Sequence, residues 1–267
     1  MISTRLRRMT FNLPGALALA LLPATASLAA DPDGLRAEDL DALEWREVGS
    51  AASSGRITRF AVHPDDVRVI FVATASGGLW KTTNAGTTWK PVFEHASSIS
   101  LGDVAIAPSN PDIVWLGTGE QNSVRSSQFG DGVYRSTDGG ETWEHMGLEE
   151  SRHVGRVLIH PEDPDTVYVA ALGSLWGPNE ERGLYRTRDG GRTWTQLLAP
   201  SEYTGVVEVQ MHPDDPDVLF AATFQRERRM WGMVGGGDEG GLFRSEDGGD
   251  SWERVGNGFP TGPVGRV

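Results

Sequence analysis

The sequence contains no cysteine. That excludes a disulfide framework and any thiol chemistry. Long apolar runs are missing too, since the stretch Leu17–Leu22 is too short to cross a bilayer. Positive charge is scarce, with 24 Lys and Arg against 37 Asp and Glu and a net charge of −13. So acidic a surface argues against nucleic acid and anionic membranes as partners, and it favours solubility. The acidic turns lack the ligand spacing of an EF-hand loop, so no metal site is assigned and no cofactor is expected.

Residues 1–30 carry no Asp or Glu. Arg5, Arg7 and Arg8 precede the apolar run, and Ser27-Leu28-Ala29 puts small residues near a cleavage position, which is the layout of a signal peptide. Its removal takes the net charge from −13 to −16 and implies an extracytoplasmic protein, periplasmic or secreted. No stable membrane insertion is expected of the mature chain. Residues 31–44 read as a linker.

What the sequence has in abundance is repetition. Ser136-Thr137-Asp138-Gly139-Gly140-Glu141-Thr142-Trp143 returns in variant form at Thr82–Trp89, Thr187–Trp194 and Ser245–Trp252. The copies start 54, 51 and 58 residues apart, the mark of a repeat architecture. An Asp or Asn at a tight turn accepts hydrogen bonds from the backbone N–H groups ahead of it. Gly86, Gly140, Gly191 and Gly249 supply a position free to take positive φ. Trp89, Trp143, Trp194 and Trp252 anchor each turn on the sheet. Recurrence in every repeat assigns Asn84, Asp138, Asp189 and Asp247 to the scaffold rather than to catalysis or calcium binding. The same reasoning makes His63, His160 and His212 turn residues.

Each repeat reads as four short strands, a four-stranded antiparallel blade of an all-β propeller. The first strands are Ile57–Val62, Val104–Ile106, Val157–Ile159 and Val206–Met211, each followed by a Pro/Asp turn. The second are Val69–Ala73, Ile113–Leu116, Val167–Ala171 and Val218–Ala222. The third are Gly78–Lys81, Gly132–Arg135, Gly183–Arg186 and Gly241–Arg244, and the repeated turn leads into the fourth. Trp45-Arg46-Glu47-Val48-Gly49 is an orphan copy of Trp252–Gly256, and Gly265-Arg266-Val267 copies Gly155-Arg156-Val157. The propeller is therefore placed at 45–267, as four blades plus the start of a fifth. The expectation is an incomplete ring, closed by further blades, by strands from both chain ends or by a partner chain.

Connections within an up-and-down blade alternate between two faces. The repeated turns share one face, and the loops between second and third strands share the other. Those loops vary: Gly119–Gly130, Gly173–Arg182 and Phe224–Gly240 are long, while Ala75–Gly77 is short. Function grafted on a repeat scaffold concentrates in such loops. Candidate binding residues there are Glu120, Asn122, Arg125, Trp176, Asn179, Glu180, Arg182, Arg228 and Trp231. Trp176 and Trp231 could form aromatic platforms for a sugar ring or a peptide, or pack the insertions onto the blades. Arg56, Arg156 and Arg266 each follow a Gly at the start of an innermost strand, where guanidinium groups could hold a carboxylate or pair with local acids such as Glu120.

The repeated octet, S/T-x-D/N-x-G-x-T/S-W, resembles the Asp box of BNR-repeat β-propellers such as sialidases, xyloglucanases and sortilin-like proteins. Stretches such as Leu172-Gly173-Ser174-Leu175-Trp176-Gly177-Pro178 resemble bacterial sortilin-like proteins often labelled BNR-repeat glycosyl hydrolases. That resemblance implies a non-catalytic module binding peptide, protein or glycan. Its alternatives are a glycoside hydrolase of sialidase or xyloglucanase type, or a protein-assembly factor. Two departures weigh against catalysis. Thr74-Ala75-Ser76-Gly77-Gly78 has Ala75 where the xyloglucanase pattern has an Asp, and Arg56-Ile57-Thr58 lacks the sialidase Arg-Ile-Pro. No residue is assigned as catalytic.

Overall fold

The computed structural model describes residues 55–256, 258 and 263–266. The expected signal peptide, linker and Trp45–Gly49 strand lie outside the described residues. The first blade comprises β1 (Ile57–Val62), β2 (Ile70–Thr74), β3 (Leu79–Thr82) and β4 (Lys90–Pro91). The second comprises β5 (Leu101–Ile106), β6 (Val114–Thr118), β7 (Val133–Ser136) and β8 (Glu144–His145). The third comprises β9 (Val154–Ile159), β10 (Val167–Ala171), β11 (Gly183–Thr187) and β12 (Thr195–Leu198). The fourth comprises β13 (Thr204–His212), β14 (Asp215–Arg229), β16 (Gly241–Ser245) and β17 (Glu253–Arg254), with β15 (Gly232–Gly235) paired to the far end of β14. Each sheet is antiparallel and runs in chain order. Among the described residues there is no α-helix, and none long and apolar enough to cross a membrane.

The repeated turn has one hydrogen-bond plan in all four blades. The hydroxyls of Thr82, Ser136, Thr187 and Ser245 accept the N–H of Gly86, Gly140, Gly191 and Gly249 at 3.0, 2.8, 2.9 and 2.9 Å. The side-chain oxygens of Asn84, Asp138, Asp189 and Asp247 accept the N–H of Thr88, Thr142, Thr193 and Ser251 at 2.9, 2.9, 2.9 and 2.8 Å. Gly139, Gly190 and Gly248 take φ near 70°, and Ala85 takes the same left-handed conformation at φ 55°. A turn that satisfies its own donors this completely holds its shape whatever the adjoining loops do.

Blades stack through apolar faces. Phe71, Ala73 and Leu79 of the first blade meet Leu101, Val104, Val114 and Leu116 of the second. Trp115 and Val133 of the second meet Val154, Val157, Ile159 and Val169 of the third. Tyr168, Ala170 and Leu184 of the third meet Val206, Val209, Leu219 and Ala221 of the fourth. Four blades joined by three such clusters form an arc, the incomplete ring expected from the sequence.

Two sequence expectations change. The stretch 224–240 is not a plain loop: β14 runs on to Arg229 and folds back through β15 as a protruding hairpin. The second correction concerns the innermost strands, each of which is irregular where the repeat pattern implies regularity. Residues Thr58, Gly102, Gly155 and Val207 fall at the register shifts, so Arg59, Asp103, Arg156 and Glu208 are the equivalent inner positions. Arg56 is therefore not the counterpart of Arg156. A bulge adds a residue to one strand and re-aims the side chains beyond it, and matching the repeats on Gly-Arg does not reveal this.

Candidate functional site

On the face of the variable loops, three segments meet in a cleft of about 470 Å³. The second-blade insertion contributes Phe129, the link into β9 contributes Glu150, Arg152 and His153, and the third-blade insertion contributes Ser174–Trp176, Pro178, Asn179 and Glu181. Two rings stand open to solvent at its walls, Phe129 at 62% and Trp176 at 53% exposure. The Arg152 guanidinium lies 5.3 Å from the Phe129 ring centre and pairs with Glu150.

The third-blade insertion is built to hold this shape. Arg182 is buried, and its guanidinium donates to the carbonyls of Leu172 at 2.6 Å and Gly177 at 2.8 Å. Burial pushes its pKa down to about 10, which leaves it cationic at neutral pH. Asn179 accepts the Ser174 N–H at 3.0 Å and donates to the Glu150 carbonyl at 2.9 Å and to Glu181 at 2.7 Å, tying insertion and link together. The Arg228 N–H donates to the Leu175 carbonyl at 2.6 Å, so the β14–β15 hairpin braces the insertion from its other side. His153 sits beneath, its Nδ1 2.8 Å from the Glu120 carbonyl. Burial first, and then the charge of Arg226, hold its pKa down to about 3, so the ring is neutral.

Glu120, in the second-blade insertion, and Arg56, just before β1, form a separate group. Glu120 is fully buried and accepts two bonds from Arg56, at 2.7 and 2.6 Å, and one from Asn122 at 2.9 Å. Burial alone would raise this carboxyl. The bonds from Arg56 and Asn122 outweigh it and leave the pKa below the ordinary range. A carboxylate held ionised with both oxygens occupied is a poor general acid.

The four equivalent inner positions make a cycle of alternating charge. Arg59 lies 2.7 Å from Asp103 and 3.5 Å from Glu208, while Arg156 lies 3.6 Å from Asp103 and 3.3 Å from Glu208. With two acids facing two guanidiniums, Arg156 is matched locally. Arg266 bonds Gln121 rather than joining this cycle.

The structure thus brings Trp176 and Asn179 together at the cleft, with Arg182 beneath them. Arg125 and Glu180 are exposed on their insertions, and Trp231 stands 83% exposed at the hairpin tip, apart from the cleft. Phe129, Glu150 and Arg152 were missed by sequence reasoning. Phe129 closes an insertion already singled out for its length, but nothing in the repeat pattern marks the link that carries Arg152. Among the described residues no cluster of three or more His, Asp or Glu is placed to hold a metal ion.

Comparison with known proteins agrees with this architecture. The Sortilin-Vps10 family model (sortilin, neurotensin receptor 3) matches residues 131–260. An oligoxyloglucan-reducing end-specific xyloglucanase of Emericella nidulans is 25% identical over 221 residues, covering 76% of this chain and 24% of that protein. The photosystem II assembly lipoprotein Ycf48 of Trichormus variabilis is 28% identical over 141 residues, covering 46% of this chain and 41% of that protein. Among solved structures, an ancestral GH74 enzyme aligns with a TM-score of 0.57 at 22% identity, over 75% of this chain and 25% of its own. The repeats and the sheet plan define an Asp-box β-propeller. The chain spans about a quarter of the length of the xyloglucanase it matches.

Proposed function

We propose that this chain is an extracytoplasmic glycan-binding part of an Asp-box propeller, with the glycan seated in the Phe129–Trp176 cleft. The observation that carries the reading is the pair of exposed aromatic rings at a cleft rimmed by amide, carboxylate and guanidinium groups. The C–H face of a sugar ring packs on an indole or phenyl face, and its hydroxyls reach the surrounding polar groups. Similarity to a xyloglucanase supports the ligand class, and the signal-like N-terminus supports the compartment. Two features support binding without turnover. Ala75 stands where the xyloglucanase resemblance calls for an Asp, and Glu120 is locked to Arg56. Retaining or inverting hydrolysis needs two facing carboxyl groups about 5–10 Å apart, one of them protonated.

Hydrolysis of a xyloglucan-type glycan is the second reading, favoured by the same sequence similarity over three-quarters of the chain. Titration with xyloglucan oligosaccharides, followed by an assay for new reducing ends, separates the two. Binding that falls at least ~10-fold in Trp176→Ala, with no reducing ends released, supports the proposal. Turnover that disappears in Glu120→Gln would replace it with the hydrolase.

A further inference from the structure

The histidine beneath the cleft is bonded in the reverse sense to those of the repeats. His63, His160 and His212 sit in the Pro/Asp turns, where each Nδ1 accepts a backbone N–H, from Asp65 at 3.1 Å, Glu162 at 3.2 Å and Asp214 at 3.2 Å. His153 instead turns its Nδ1 to the Glu120 carbonyl oxygen, 2.8 Å away. A carbonyl oxygen only accepts, so this Nδ1 carries the proton of the neutral ring. Nε2 is then a bare acceptor. His153 also belongs to no repeat, since the matching positions of the other blades hold Arg56, Ser100 and Gly205.

The charged groups around the ring are engaged elsewhere. Arg182 donates to the carbonyls of Leu172 and Gly177, Arg226 donates to the Gln121 carbonyl at 2.9 Å, and Arg152 pairs with Glu150. Burial first, and then the charges of Arg226, Arg182 and Arg152, keep the ring neutral, so Nε2 stays an acceptor at neutral pH. Among the described residues Nε2 has no bonding partner, although His153 is only 2% exposed. His153 nonetheless lines the cleft, between the insertion that carries Phe129 and the one that carries Trp176. An acceptor withdrawn from water and left without a donor costs free energy, which a donor on a ligand recovers.

We infer that His153 Nε2 is the specificity contact of the cleft, accepting a hydrogen bond from a hydroxyl of the glycan held at Phe129 and Trp176. The contact presupposes the glycan site proposed above and adds the group that selects within it. Stacking on Phe129 and Trp176 tolerates any flat apolar face, so the two rings alone do not tell a sugar from another planar ligand. A lone pair at the floor does, because a ligand without the matching hydroxyl leaves a buried acceptor unpaired. The ligand class is therefore a neutral sugar with a free hydroxyl at the edge of its stacked ring. The Glu120 carbonyl has a positioning role: by taking the Nδ1 proton, it fixes which nitrogen faces the ligand.

Calorimetric titration of xyloglucan oligosaccharide into the full chain and its His153→Gln, His153→Asn and Trp176→Ala variants tests this. Gln puts an amide oxygen in the place of Nε2 and gives up the bond to Glu120. Asn keeps a donor towards Glu120 and leaves the place of Nε2 empty. Affinity should fall at least ~10-fold in His153→Asn and stay within ~3-fold of the parent in His153→Gln. A purely structural histidine gives the opposite order. Nitrogen NMR of the parent imidazole reads the same contact without a substitution: Nδ1 protonated, Nε2 bare, and the Nε2 signal moved by the oligosaccharide. An Nε2 signal that stays put at saturation would overturn the inference. So would binding that is lost in Trp176→Ala and kept in His153→Asn, a result that leaves the glycan site itself standing. No binding to the parent would overturn both.

Discussion

The two faces of the blade arc come from the same four repeats and are built on opposite terms. On the turn face, four Asp boxes share one set of bonds to within about 0.2 Å. On the loop face, the corresponding connections run from three residues in the first blade to a full hairpin in the fourth. Sequence regularity here secures the stacking of blades, and departures from regularity build the cleft. A residue that recurs at every period answers to the scaffold, and one that appears once, such as Trp176, is open to another use.

That contrast can be broken at several points, beginning with the blade joints. Trp115 is fully buried and lies edge-on to Trp194 at 6.0 Å. Trp115→Ala should cost about 3–5 kcal/mol in urea unfolding, while the cleft affinity of the folded fraction stays unchanged. Gly140 comes next, since a Cβ there would lie 2.7 Å from the Phe71 ring at φ 88°. Gly140→Ala should cost about 2–3 kcal/mol. Gly139→Ala should cost ~1 kcal/mol or less by the same measurement, because Ala85 already adopts that conformation in the first blade. Asp138→Ala removes the acceptor of the Thr142 and Glu141 N–H groups, for about 1 kcal/mol, and Asp138→Asn should cost less, as Asn84 shows.

Acid should weaken the turn face. Bonds from Thr193 and Ser251 hold Asp189 and Asp247 down to about 2, from an ordinary value of 3.8. A carboxylate whose folded pKa lies below its unfolded one stabilises the fold above the unfolded value. That contribution should hold above pH 3.8 and disappear as pH falls towards 2, read as a falling melting temperature. A melting temperature independent of pH across that window would contradict the turn chemistry. The smallest effect on stability is expected for Trp176→Ala, within about 0.5 kcal/mol, because half the side chain is already in water.

Much of the fold was legible because the turn chemistry is local. Ser136, Asp138, Gly140 and Trp143 lie within eight residues, so their spacing alone carries the motif. The bulges at Thr58, Gly102, Gly155 and Val207 were not legible, since an extra residue in a ladder is defined by its partner strand. The mistaken match of Arg56 with Arg156 comes from aligning the two Gly-Arg pairs, whereas counting back four residues from His63 and His160 aligns Arg59 with Arg156. The β14–β15 hairpin was hidden by polar residues, Gln225-Arg226-Glu227-Arg228-Arg229, that lack the usual apolar alternation of a strand. At the cleft, Trp176 and Asn179 stood out within one insertion. Phe129 and Arg152 join them from segments some 25–50 residues away, which only tertiary packing brings together.

The most direct test of the account is a calorimetric titration of xyloglucan oligosaccharide into three proteins: the parent chain, Trp176→Ala and Asp138→Asn. The account predicts binding to the parent and to Asp138→Asn alike, and at least a ~10-fold loss in Trp176→Ala at unchanged melting temperature. Equal affinity in all three, or no binding to the parent, would contradict the assignment of the ligand to the Phe129–Trp176 cleft.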